Sequence, residues 1–346
     1  MKWNDGSKII HDHYLFSESY VPPNIPAREN QIQELSFYLS TARDSINPIN
    51  VWIYGTPGTG KTSTCKFLLK KLENETNVRG LYVNCWENPT FYTILDKIIR
   101  ELRILRADKL NTSFKFDRLR SHLCDKPFIL FLDEIDQPSQ KERNSILYNF
   151  SNLPRVGIVA ISNNKYVLYT LDERIRSRLN AQWLEFGPYT IDDIRSILSH
   201  RADFALATGS YDDNVLNKIA ELAGQDARIA IQTLKNAAHL AEKEITKCIS
   251  IRHVNKGYYS VKNMKKSYLL DNLTIHHKIL YDIIQHKTDV LSGKLWRLYL
   301  KKCSLMNVQP VASRTYSEYV RKLIEAGIVK AERASVKGKV RSLSAI

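Results

Sequence analysis

The chain has 346 residues, with 51 Lys+Arg against 36 Asp+Glu for a formal net charge of +15, and 43% of its residues are hydrophobic. That length allows roughly two or three domains, and that balance excludes a disordered polymer. The strongest apolar run, Phe128 to Leu132, is far short of the roughly 18 residues a membrane helix needs, and the first residues lack the apolar stretch of a secretory signal. An intracellular protein with no membrane partner is expected.

In chain order, residues 29–43 place Ile32, Leu35, Leu39 and Ala42 at helical spacing. Val51 to Tyr54 reads as a short strand that runs into a glycine-rich turn and a second helix. Gly80 to Cys85, Phe128 to Leu132 and Gly157 to Ser162 read as further short buried strands, with a helix from about Pro89 to Leu105 between the first two. Short apolar strands alternating with helices predict an α/β fold built on a parallel sheet covered on both faces.

After Pro188 the buried-strand pattern stops. Thr190 and Asp193 form a capping box for one helix, Asp212 caps a second that ends at Gly224, and Asp226 opens a third. These boundaries predict a nucleotide-binding base over residues 1–187 and a helical lid over 188–261. Lys262 to Ser267 reads as a linker. Helical patterns at Ile275 to His286, Leu291 to Lys302 and Arg314 to Ala326, with Ser313 as N-cap and Gly327 as stop, precede a tail that alternates β-branched and basic residues around Lys337-Gly338. Three helices and a hairpin predict a winged helix over 272–346.

Charge is unevenly spread, because from residue 262 onward 17 Lys+Arg stand against 6 Asp+Glu. Such a segment suits a phosphate backbone, with a merely solubilising surface as the alternative. Arg314, Arg321 and Lys322 are the DNA-binding candidates on the third helix, and Lys337, Lys339 and Arg341 those on the hairpin. Arg314, at the N-terminal end of its helix, is the candidate for reading a base edge. Five cysteines follow no CxxC spacing, so reduced, mostly buried thiols are expected.

The chemistry is carried by Gly55-Thr56-Pro57-Gly58-Thr59-Gly60-Lys61-Thr62, which fits G-x-x-x-x-G-K-[ST] between a strand and a helix. Backbone N–H groups of such a loop wrap phosphates at the positive end of the helix dipole, so Gly58, Thr59, Gly60, Lys61, Thr62 and Ser63 are expected to hold the nucleotide. Lys61 reaches the β- and γ-phosphates and Thr62 ligates Mg²⁺. Asp133 and Glu134 end a buried strand, where Asp133 would hold Mg²⁺ and Glu134 would polarise the attacking water. Asn163 ends the next strand and could orient that water, although an Asn there also suits a plain turn. Arg174, Arg176 and Arg178 crowd one short segment, so one of them is expected to reach a neighbouring subunit's nucleotide. Arg228, at the start of the third lid helix, could close onto the γ-phosphate.

The ordered segments YVPPNIPARENQI, GTPGTGKT, FLDEID, ISN, LDERIRSRL, PYT and GQDAR, followed by the winged helix, resemble the archaeal initiator ATPases of the origin recognition complex and cell-division-cycle-six family, of the AAA+ class. The resemblance runs from about Tyr14 to about Leu343. It implies that Asn163 is sensor 1, Arg228 sensor 2 and Arg178 the finger acting in trans. It also implies nucleotide contacts for Tyr189 and Arg201 in the lid and for the box from Tyr20 to Arg28, with Val21, Ile25 and Arg28 flanking the adenine. The helical insertion at about Glu87 to Leu110 stands where the family carries a DNA-contacting motif. Family members often show His-Arg-Glu where this chain has Ala27-Arg28-Glu29.

The implied function is a cytoplasmic, nucleoid-associated initiator that binds ATP or ADP with Mg²⁺, hydrolyses ATP slowly as a switch, and recognises double-stranded origin DNA. Other initiator subunits and the replicative helicase are the implied protein partners. A loader or branch-migration motor, and a winged-helix transcription regulator with an ATP switch, are the rival readings.

Overall fold

The computed structural model describes residues 9–42, 48–104, 111–271, 273–287, 290–325, 328–333 and 341–345. The chain divides between Tyr258 and Tyr259 into two compact units.

The first unit opens with a short 3₁₀ turn at His13–Phe16, followed by α1 (Glu29–Ser40), β1 (Val51–Tyr54), α2 (Lys61–Glu75), β2 (Arg79–Asn84) and α3 (Phe91–Glu101). Then come α4 (Thr112–Leu123), β3 (Phe128–Asp133), α5 (Gln140–Phe150), β4 (Val156–Ser162), α6 (Glu173–Leu179) and β5 (Gln182–Glu185). The five strands form one parallel sheet in the order β2-β3-β4-β1-β5. Strand residues alternate between faces, and two cores result. Trp52, Leu130, Leu132, Ile158 and Ala160 pack with α3, α4, α5 and α6, whereas Val51, Ile53, Ile129, Phe131, Val159 and Ile161 pack with α1 and α2. By the same parity Asp133 falls on the α2 face, beside the helix that starts at Lys61.

A third core belongs to α7 (Ile191–Ala205), α8 (Asp213–Ala223) and α9 (Ala227–Lys243), with Ile9, Ile10 and Phe16 of the N-terminal segment packed into it. The expected capping chemistry is present. Thr190 Oγ1 accepts from the Asp193 N–H at 3.1 Å while Asp193 Oδ2 accepts from the Thr190 N–H at 2.8 Å. Asp212 accepts from the Val215 N–H, Gly224 ends α8 at φ 63°, and Asp226 accepts from the Arg228 N–H at 3.0 Å.

The linker expected at Lys262 to Ser267 is instead part of α10 (Ile251–Asp271). Lysines are good helix formers, so a charged run with no glycine or proline breaker continues a helix as readily as it makes a linker. The helix expected to reach Leu105 ends at Glu101, and residues 105–110 lie outside the described residues. Three of the five cysteines, Cys65, Cys85 and Cys303, are buried, and Cys124 and Cys248 are exposed.

The second unit contains α11 (Ile275–Gln285), β6 (Val290–Leu291), α12 (Ser292–Leu305), α13 (Ser313–Glu325), β7 (Val329–Arg333) and β8 (Arg341–Ala345). Its antiparallel sheet has the order β6-β8-β7, with Val329 opposite Ala345 and Arg333 opposite Arg341. Tyr299, Leu280, Leu295, Leu323 and Leu343 are central to its core. Three helices and a small antiparallel sheet are the winged-helix architecture expected from the sequence. Among the described residues no helix is long and apolar enough to cross a membrane.

Candidate nucleotide site and DNA-binding face

Gly58 and Gly60 stand at φ 83° and 84°, in the left-handed region that only glycine enters freely. Each is also a close approach, since a Cβ on Gly58 would lie 2.3 Å from Asp226 Oδ1 and one on Gly60 would lie 2.3 Å from the Tyr189 hydroxyl. No side chain caps α2, so its first N–H groups are available to an anion. Lys61 is 6% exposed and donates to the carbonyls of Gly55 at 2.7 Å and Thr56 at 2.9 Å. Burial is the main reason its ammonium is pushed down to about 8, with Arg228 adding to the effect and Asp133 opposing it.

Asp133 is 4% exposed and takes three hydrogen bonds. The Thr62 hydroxyl donates to Oδ2 at 2.6 Å, the Tyr82 hydroxyl to the same oxygen at 2.5 Å, and the Glu134 N–H to Oδ1 at 2.8 Å. Glu134 has φ 55°, a strained backbone for a non-glycine residue. Burial raises its carboxyl above the usual range, the Asp133 and Asp136 charges raise it further, and a hydrogen bond with Asn84 opposes them. The loop beyond is pinned by Arg143 of α5, which donates to the carbonyls of Ile135, Asp136 and Pro138 at 2.9–3.0 Å.

These groups border a cavity of about 540 Å³ within the first unit. Gly58 through Ser63, Asp133, Glu134, Asn163, Tyr189, Arg201, Arg228 and Ile25 all line it. The N-terminal strap forms one wall, where Arg201 donates to the Leu15 carbonyl and lies 4.6 Å from the Tyr20 ring centroid. Tyr82, Asn84 and Lys66 also line the cavity and were not foreseen. Tyr82 and Asn84 lie two residues apart on β2, and Asn84 pairs in register with Asp133. Strand parity could have found them once that register was known.

Of the expected adenine-flanking residues, Ile25 lines the cavity directly. Val21 and Arg28 are not among the residues lining the cavity. Arg28 is 5% exposed and turns its guanidinium to the carbonyls of Thr59 at 2.9 Å, Gly187 at 2.7 Å and Ala27 at 3.1 Å, while lying 3.9 Å from the Tyr189 ring centroid. It supports the phosphate loop through the Thr59 carbonyl. Arg178 is exposed on α6 and lies outside the cavity.

In the second unit α13 buries Tyr316 and Leu323 and exposes Arg314, Arg321 and Lys322. Arg314 and Arg321 are seven residues apart and share one stripe, whereas Lys322 is about 80° around the helix from Arg314. Lys337 and Lys339 lie outside the described residues, and Arg341 is described only as part of β8. Unforeseen were Lys294, Arg297 and Lys301, exposed along α12 at positions that share a helix face.

Residues 50–164 match the AAA domain family and residues 195–259 match the Cdc6 AAA+ ATPase-type lid domain. The chain is 31% identical to ORC1-type DNA replication protein 2 of Thermoplasma acidophilum, over 96% of this chain and 87% of that protein. It is 30% identical to the ORC1-type DNA replication protein of Thermococcus kodakarensis, with the same coverage. Among solved structures it is similar to the Orc1 protein of Aeropyrum pernix in complex with DNA, with a TM-score of 0.81 and 27% identity over 98% of this chain and 94% of that one. A glycine-cradled phosphate loop, its lid and the winged helix beyond thus stand on a chain whose identity to these relatives extends nearly end to end, and the chain belongs to the ORC1-type DNA replication proteins, a family of AAA+ ATPases.

Proposed function

We propose that this chain initiates DNA replication, binding double-stranded origin DNA through its second unit and using ATP binding and slow hydrolysis in its first unit as the switch. The observation that carries the reading is that one cavity gathers the phosphate loop, the Asp133 and Glu134 carboxylates, Asn163 and the lid's Arg228. ATP or ADP binds there, with Lys61 and the N–H groups of Gly58 through Ser63 on the phosphates and Tyr189, Arg201 and Ile25 toward the nucleoside.

The oxygens of Thr62 and Asp133 suit Mg²⁺, a hard cation that takes one or two carboxylates plus substrate phosphates and needs no all-protein cage. No cluster of three metal-ligating side chains exists among the described residues, which fits that mode. When bound, the cation neutralises charge on the phosphates. Glu134 orients and polarises the attacking water, its raised carboxyl pKa bringing it nearer to a useful base. Asn163 fixes the same water, Arg228 meets the γ-phosphate, and Arg178 acts on a neighbouring initiator subunit's nucleotide. On the DNA side Arg314 reads a base edge, Arg321 and Lys322 contact the duplex beside it, and the wing cations Lys337, Lys339 and Arg341 meet phosphates. The protein works on the nucleoid and delivers the replicative helicase to the origin.

Two variants test the nucleotide chemistry. Lys61→Ala weakens ATP binding, whereas Glu134→Gln retains binding and loses turnover by about 100-fold or more. Equal loss of binding in both contradicts the assignment. Genome-wide mapping of bound sites against replication start positions separates the initiator from a transcription regulator, which collects at promoters.

A further inference from the structure

The three donors on Asp133 are not equivalent. The Thr62 hydroxyl and the Glu134 N–H belong to residues that the nucleotide chemistry itself uses. The third, Tyr82, comes from β2 and belongs to neither motif. Its position follows from register. Asn84 pairs with Asp133, so Tyr82 two residues earlier is a diagonal neighbour on the same face, within reach of a long side chain. The ring packs against the core shared by α1 and α2, and the Lys66 ammonium lies 4.8 Å from its centroid.

We infer that Tyr82 is a positioning residue for the metal site, its hydroxyl fixing the Asp133 carboxylate in the orientation from which that carboxylate serves Mg²⁺. The inference rests on the proposed role of Asp133 at the cation. Without the Tyr82 hydroxyl the carboxylate keeps one donor on each oxygen, Thr62 on Oδ2 and the Glu134 N–H on Oδ1, and its orientation about the Cβ–Cγ bond is less narrowly fixed. Tyr82 is the second hydroxyl on Oδ2, and the one whose oxygen is not itself a proposed ligand of the cation. Outer partners of metal-ligating carboxylates act in this way, and losing one costs roughly 10- to 100-fold in metal affinity. The cavity borders Tyr82, so water can replace part of what the hydroxyl supplies, and the lower end of that range is expected.

Mn²⁺ serves as the probe, titrated by electron paramagnetic resonance into the full chain saturated with ADP, alongside ADP binding in EDTA. Tyr82→Phe keeps the ring and its packing and removes only the hydroxyl. Its Mn²⁺ half-saturation is expected to rise about 10-fold, with metal-free ADP affinity unchanged. Asp133→Asn is the control and raises half-saturation at least as far. An unchanged or lower half-saturation in Tyr82→Phe, with Asp133→Asn raised, overturns the inference and leaves the metal role of Asp133 standing. A Tyr82→Phe variant that melts lower but binds Mn²⁺ like the parent gives the tyrosine a structural role alone and likewise overturns it. No change in either variant removes Asp133 from the cation, and both readings fall.

Discussion

The first unit buries the charges it works with, whereas the second, among its described residues, buries aromatic rings and exposes most of the cations of α12 and α13. Lys61, Asp133, Arg28 and Arg201 are each less than a tenth exposed, and each is held by carbonyls, hydroxyls or rings. In the second unit Tyr299 and Tyr316 are buried, while Lys294, Arg297, Lys301, Arg314, Arg321 and Lys322 are exposed. The difference matches the targets proposed for each unit. A nucleotide is one small ion with a fixed shape, so its site needs preorganised donors that are costly to hold in place. A duplex offers a regular row of phosphates to any cation at the surface, and that contact requires little organisation.

The largest break in this pattern comes from removing a buried charge that holds the phosphate loop. Arg28→Ala takes away three hydrogen bonds and a stacked guanidinium from under the phosphate loop. Hydrogen bonds from a charged group contribute roughly 1.5–3 kcal/mol, so ATP affinity should fall by about 10- to 100-fold and the first unit should melt at a lower temperature. DNA affinity in the absence of nucleotide should stay within about twofold. ATP titration and a melting curve on the same preparation check both parts. Normal ATP binding in this variant would separate Arg28 from the geometry of the phosphate loop.

The second unit should answer differently, because its candidate cations are exposed at the surface. Arg314→Ala should cost about 1–3 kcal/mol at one base pair of the site and leave other positions alone. Replacing Lys294, Arg297 and Lys301 by Gln should weaken binding to every sequence and lower the salt slope by roughly one unit per lost phosphate contact. Titrating an origin fragment and a scrambled duplex over a salt series separates the two effects. An unchanged slope in the triple variant removes α12 from the DNA interface.

The same contrast governs what could be read from the sequence. The phosphate loop was legible because Gly58 and Gly60 satisfy local backbone demands, and the Asp133–Glu134 pair because a buried strand that ends in acids is itself unusual. The lid caps were legible for the same local reason. The partners of Arg28 were not legible because Thr59 and Gly187 are 31 and 159 positions away, and nothing in the local sequence marks a guanidinium that faces carbonyls. Tyr82 was missed because its meaning depends on how β2 registers against β3. The strand β5 escaped notice because it is a four-residue edge strand with Leu184 as its one buried residue. Nothing local to α12 marks the stripe of Lys294, Arg297 and Lys301, three cations at ordinary helical spacing on an exposed face.

The smallest effect is one of pH, and it also distinguishes the units. Burial lowers the Lys61 ammonium from the ordinary lysine value of 10.5 to about 8, so between those values the unfolded chain binds a proton that the nucleotide-free fold does not. Stability then rises with pH across that window, opposite to the usual trend for a lysine that gains a partner. The relevant quantity is the difference between the parent and Lys61→Met, since other groups titrate in the same range. Phosphate binding prefers the ammonium, so above about pH 8 nucleotide binding must take up a proton. ADP affinity should therefore fall with pH, by at most tenfold per unit, in the parent and not in Lys61→Met. Calorimetry at pH 8.5 in two buffers of different ionisation enthalpy measures that uptake directly. DNA binding measured over the same interval is the control for the second unit. A nucleotide affinity flat from pH 7.5 to 9.5 would mean that Lys61 is already protonated in the empty site and that its burial does not set its charge.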